Sequence, residues 1–79
     1  MSASLIPYDP AKLRRKRAEA GLTQEGLAFK SKVTQTHISR LERAAVPGIS
    51  VKYLAKLARA LKCRPVDLMP AEESREAAA

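Results

Sequence analysis

With 79 residues, two Tyr, one Phe, no Trp and 46% apolar residues, the chain has material for one small domain, and a domain of that size buries only about 60% of its unfolded surface. Fifteen Lys and Arg against eight Asp and Glu give a net charge of +7, which points to a polyanionic partner. A single cysteine, Cys63, excludes an internal disulfide framework and suits a reducing cytoplasm, no apolar run approaches the roughly 18 residues of a membrane span, and the first residues do not read as a secretory leader.

Residues 1–8 read as a flexible arm. Asp9-Pro10 then starts a helix, with Asp9 as N-cap and Pro10 in the first turn, where its missing N–H costs nothing. It should run to about Ala20 and stop at Gly21, which accepts a left-handed backbone. The consecutive bases Arg14 to Arg17 wrap around this helix and cannot share one face, and Arg14, Arg15 and Lys16 read as solvated.

Thr23 is placed to cap a second helix from Gln24 to Lys30, with Leu27 and Ala28 inward and Gly26 weakening its first turn. Thr34 caps a third helix, Gln35 to Arg43. Its Ile38 and Leu41 form the buried stripe, leaving Gln35, Thr36, Ser39 and Arg40 on other faces.

A loop follows, with Pro47-Gly48 as its turn signal, and Ser50 caps the most amphipathic helix. Val51, Leu54, Leu57, Ala58 and Leu61 make its apolar stripe, with Lys52, Lys56, Arg59 and Lys62 outside it. Pro65 starts a short fifth helix through Met69, in which Val66, Leu68 and Met69 can close the core. Residues 70–79 lack any large apolar side chain and read as a disordered tail rich in acid and Ala. Charge follows this division: residues 1–64 carry fourteen bases and four acids, net +10, and residues 65–79 one base and four acids, net −3. The expected fold is all-α, five short helices over residues 9–69.

Three segments carry a family resemblance: LTQEGLA in the second helix, TQTHISRLE in the third and YLAKLARAL in the fourth. In this order and spacing, residues 13–69 resemble the Cro/repressor-type, lambda-repressor-like helix-turn-helix family of DNA-binding regulators. The resemblance implies that the second and third helices form the helix-turn-helix and that the N-terminus of the third enters the major groove.

On matching positions it implies base reading by Gln35, Thr36 and Arg40, with Ser39 either a further reader or simply a solvated polar residue. The chemistry fits: Gln pairs with adenine N6/N7, Arg with guanine O6/N7, and the Thr methyl meets a thymine methyl. Gln24, Thr34, His37 and Arg43 are implied as phosphate contacts, which position the domain without reading sequence. Arg17 and Glu42 match a pair that in this family forms a partly buried salt bridge between the first and third helices.

The family's Gly in the turn is Lys32 here, and the Gly usual two residues after the third-helix Glu is Ala44; Lys32 would carry strain if the turn keeps its left-handed backbone. The segment LAFKSKVTQTHISRLER is similar to restriction–modification controller proteins, although a phage repressor, a Cro-like protein or an antitoxin would look much the same.

The expected function is therefore a homodimeric transcription regulator on a near-palindromic double-stranded DNA operator, with dimer contacts at the end of the fourth and in the fifth helix, including Leu68 and Met69. A contact with RNA polymerase stays open. A competing reading is a protein-interaction module or antitoxin reusing the fold, against which the polar Gln35, Thr36 and Arg40 argue. An enzyme is not expected, for there is no phosphate-binding Gly loop and His37 has no partner set; nor is a cofactor, a metal or a membrane partner.

Overall fold

Each α-helix begins where a side-chain oxygen takes up amides that the first turn leaves free. In the computed structural model, which describes residues 4–71, helix α1 (Pro10–Glu19) is capped by Asp9 Oδ1, accepting from the amides of Ala11 and Lys12 at 2.9 and 3.3 Å. Thr23 Oγ1 accepts from Gly26 N at 2.9 Å to open α2 (Gln24–Ser31). Thr34 and Ser50 do the same for α3 (Gln35–Glu42) and α4 (Val51–Ala60) at 3.2 and 3.1 Å. A Cβ on Gly26 would lie 3.3 Å from the capping Thr23 oxygen, so the small residue there keeps the cap uncrowded.

Helix ends follow one pattern three times. The amide of the second residue beyond the cap returns to the carbonyl five positions earlier: Leu22 to Arg17, Ala45 to Arg40 and Cys63 to Ala58, at 3.1, 2.9 and 2.9 Å. The residue between is left-handed in each case, Gly21 (φ 74°), Ala44 (φ 58°) and Lys62 (φ 56°), which is the Schellman closure. Helix α2 ends on Lys32, also left-handed (φ 64°, ψ 24°), with its amide on the Ala28 carbonyl.

The core is Leu13 of α1, Leu27 of α2, Val33 in the turn, Ile38 and Leu41 of α3, Ile49, then Leu54, Leu57, Ala58 and Leu61 of α4 and its end, with Leu68 beneath. Two expectations change here. Among the described residues there are four α-helices and not five: Pro65–Leu68 is a single 3₁₀ turn. Met69 leaves it in an extended conformation (φ −99°, ψ 163°), because Pro70 disfavours a helical backbone in the residue before it. Val51 is 61% exposed and outside the apolar stripe, since it is the first residue of α4, where the helix only begins to meet the core.

Of the arm expected over residues 1–8, residues 5–8 are tied to the body, and residues 1–3 lie outside the described residues. Strand β1 (Leu5–Ile6) pairs antiparallel with β2 (Ile49–Ser50), Leu5 opposite Ser50 and Ile6 opposite Ile49. Tyr8 donates its hydroxyl to the Leu41 carbonyl at 2.5 Å, and the Asp9 amide donates to the Leu68 carbonyl at 2.9 Å. The acidic tail from residue 72 lies outside the described residues.

Candidate nucleic-acid interface

Helices α2 and α3, joined by the left-handed Lys32 and buried Val33, present a polar surface built mainly from their N-terminal turns. Gln24 of α2, Gln35, Thr36 and Ser39 of α3, and Arg43 at its C-cap line one shallow depression of about 230 Å³. Gln35, Thr36 and Arg40 are exposed; Arg40 stands one turn beyond Thr36, outside the depression. Arg43 Nε donates to the Ser39 carbonyl at 3.3 Å. Four of the implied base and phosphate contacts are thus brought together with Gln24, while Thr34 serves as helix cap at the edge.

His37 is placed differently. Its ring packs tilted against Tyr53 of α4, centroids 5.0 Å apart, so it helps hold α3 on α4.

Behind this surface stands Glu42, 3% exposed. Arg17 of α1 grips its carboxylate with two donors, Nε to Oε2 at 2.7 Å and Nη2 to Oε1 at 3.0 Å. The third nitrogen of Arg17, Nη1, donates to the Leu22 carbonyl at 2.9 Å. Gln24 Nε2 donates to Glu42 Oε1 at 2.9 Å. Burial alone would push the Glu42 carboxyl up, but the donors of Arg17 and Gln24 outweigh it and hold it below its ordinary value. The hydrogen bond that Arg17 donates to Glu42 likewise raises the arginine's pKa. Gln24 is thereby oriented by the ion pair: one Nε2–H is spent on Glu42, and the second is left for an outside acceptor.

One residue read as solvated does more. Arg14 Nη1 donates to the Glu42 main-chain carbonyl at 2.6 Å, closing the C-terminal end of α3. The signal was its spacing: Arg14 and Arg17 are i and i+3 on α1 and share a face. Leu68 is a correction of the opposite kind. At 1% exposure it belongs to this chain's own core and offers no side chain to a second copy; Met69 is half-buried beside it. The 3₁₀ turn carries Leu68 inward, and the chain turns extended at Met69, which stays at the edge of the core.

A family model described as helix-turn-helix matches residues 13–68, the span that holds α2, α3 and everything packed behind them. The chain belongs to the helix-turn-helix family of DNA-binding transcription regulators. Among solved structures with this helix-turn-helix, the restriction–modification controller protein C.AhdI from Aeromonas hydrophila is 35% identical, with 76% of this chain and 89% of that one covered and a TM-score of 0.72. The controller protein C.Esp1396I is 33% identical over 72% of this chain and 73% of its own, TM-score 0.66. The clp gene regulator ClgR from C. glutamicum is 36% identical over 73% and 74%, TM-score 0.66. No curated protein sequence matches the chain. No helix among the described residues is long and apolar enough to cross a membrane.

Proposed function

We propose that this helix-turn-helix protein is a sequence-specific transcription regulator of the restriction–modification controller type, binding a near-palindromic operator as a homodimer. The observation that carries it is the pairing of an exposed polar row on α3 with a rigid backing: Gln35, Thr36 and Arg40 face solvent while Arg17, Glu42 and Gln24 lock together behind them. A reading surface needs both, because a hydrogen bond to a base edge discriminates only when its donor is held in register. Gln35 and Arg40 would take adenine and guanine edges, Thr36 a thymine methyl, and Ser39 a polar edge nearby. Gln24, Thr34 and Arg43 would hold phosphates, joined by His37 from the side of its ring that Tyr53 leaves free. Likeness to the controller proteins C.AhdI and C.Esp1396I favours this subclass.

Two copies would read half-sites about one helical turn apart. With Leu68 committed to the core, the dimer contact would rest on the exposed surface around it, Met69 included. Selection from a random duplex pool, followed by titration of the winner against scrambled DNA at physiological salt, tests the proposal. A palindromic winner preferred by roughly a thousandfold is expected. Equal binding to both, released together by salt, would leave only the basic charge at work and overturn sequence-specific regulation.

A further inference from the structure

A second concavity lies away from the α3 surface, between the C-terminal end of α2 and the C-terminal half of α4. It encloses about 380 Å³, within the range of small-ligand sites, and shares no lining residue with the depression at Gln35. Five bases line it, Lys30, Lys32, Lys56, Arg59 and Lys62, and no acid does. None of the five takes part in an ion pair among the described residues.

Bases at helix C-termini are ordinarily explained by the helix dipole, whose negative end attracts a cation there. That accounts for one charge on α2 and one on α4. It does not account for Lys56, which sits mid-helix, nor for the backbone at the rim. Lys32 and Lys62 both have left-handed φ, 64° and 56°, where Gly would sit without strain. The chain therefore places a lysine at two strained positions that open onto the same cleft. Two of the ammonium groups also lie over aromatic faces, Lys32 Nζ 5.8 Å from the Phe29 ring and Lys56 Nζ 5.6 Å from the Tyr53 ring. Like charges gathered around so small a volume repel one another until a multivalent anion enters.

We propose that this cleft is an oligophosphate-binding site distinct from the base-reading face. Its ligand is a run of linked phosphates, either a free polyphosphate such as a nucleoside triphosphate or consecutive phosphates of a DNA strand beyond the operator contacts. Lysines suit this ligand as point charges that need no fixed bidentate geometry. Ser31, whose hydroxyl accepts the Val33 amide at 3.2 Å, is the one polar uncharged residue of the lining.

The test uses the full chain and two double variants of equal charge, Lys56→Ala/Arg59→Ala in the cleft and Lys12→Ala/Arg15→Ala on α1, with thermal unfolding to verify that both fold. In the first arm inorganic tripolyphosphate is titrated calorimetrically without DNA. Loss of affinity by about tenfold or more in the cleft variant, with under about twofold in the α1 variant, identifies a free anion as the ligand. In the second arm the salt dependence of binding to long and short random duplexes is compared. A fall of about 2 in the log–log slope, seen only for the cleft variant on the long duplex, identifies the strand. Equal effects of the two variants in both arms, or none from the cleft variant in either, would overturn the site.

Discussion

Arg14 and Glu42 are 28 positions apart in sequence, and Nη1 of the arginine donates to the glutamate's main-chain carbonyl at 2.6 Å. Arg17, one turn along the same helix, holds the Glu42 side chain. Helix α1 thus grips one residue of α3 at both its backbone and its carboxylate, and this fixes the angle at which α3 is presented.

Replacing Arg17 by Met should lower stability by about 3 kcal/mol, because it strands a buried carboxylate. The pH dependence should change sign. With the Glu42 pKa depressed in the folded protein, its contribution is present above the unfolded value and is lost as pH falls through the folded one. In Arg17→Met burial dominates, so stability should instead fall as pH rises through about 4.3, the ordinary glutamate value. Urea unfolding at a series of pH values checks both, and parallel profiles would contradict the coupling.

Ala44 carries φ 58° in the Schellman closure of α3 and its side chain is exposed. Ala44→Gly should relieve that strain and raise stability by about 1 kcal/mol, after the greater freedom Gly gives the unfolded chain is subtracted. A lower denaturation midpoint would show that the left-handed backbone is not strained there.

At Gly48 a Cβ would fall 2.8 Å from the Ile6 carbonyl oxygen and 3.1 Å from Leu5 Cβ. Gly48→Ala should therefore push β1 off β2 and destabilise the protein by about 1–3 kcal/mol, as overpacking does. Hydrogen exchange at Ile6 and Ile49 is the direct measurement; protection equal to that of the parent would mean the strand pair can absorb the methyl.

Leu68 fills the core beneath α1 and α4, so Leu68→Ala should cost about 2–5 kcal/mol at any protein concentration. A penalty that appears only on dilution would return the residue to a subunit interface.

For recognition, Arg40→Ala should lose about 1–3 kcal/mol on the selected site and relax choice at one base pair, with little change on scrambled DNA. Arg43→Ala should weaken both alike and reduce the salt slope by about 1. The reverse pattern would exchange the roles of the two arginines.

Local chemistry made much of this readable from the sequence. Asp9, Thr23, Thr34 and Ser50 cap helices through amides two or three residues away, so their role needs no knowledge of the tertiary fold. Ile38 with Leu41, and Leu54 with Leu57, announce buried faces by spacing alone. What escaped depends on distant partners or on phase. A two-residue strand has no alternation to detect, and β1 is specified largely by Gly48, some forty positions away. Four consecutive bases conceal that Arg14 and Arg17 turn toward α3. Leu68 and Met69 are chemically alike, and only the tightness of the final turn decides which one faces in.

Helix α3 is fastened through Leu41 and Glu42, whose carbonyls receive Tyr8 and Arg14 and whose one carboxylate receives Arg17 and Gln24. Among the described residues, the side chains of Gln35, Thr36, Ser39 and Arg40 hold no hydrogen bond within the chain. Scaffold and proposed reading positions are therefore different residues of one eight-residue helix. Outward positions can be exchanged with little penalty to folding, so a lineage of such proteins and their binding sites can drift to new sequence pairs while every member keeps the same frame.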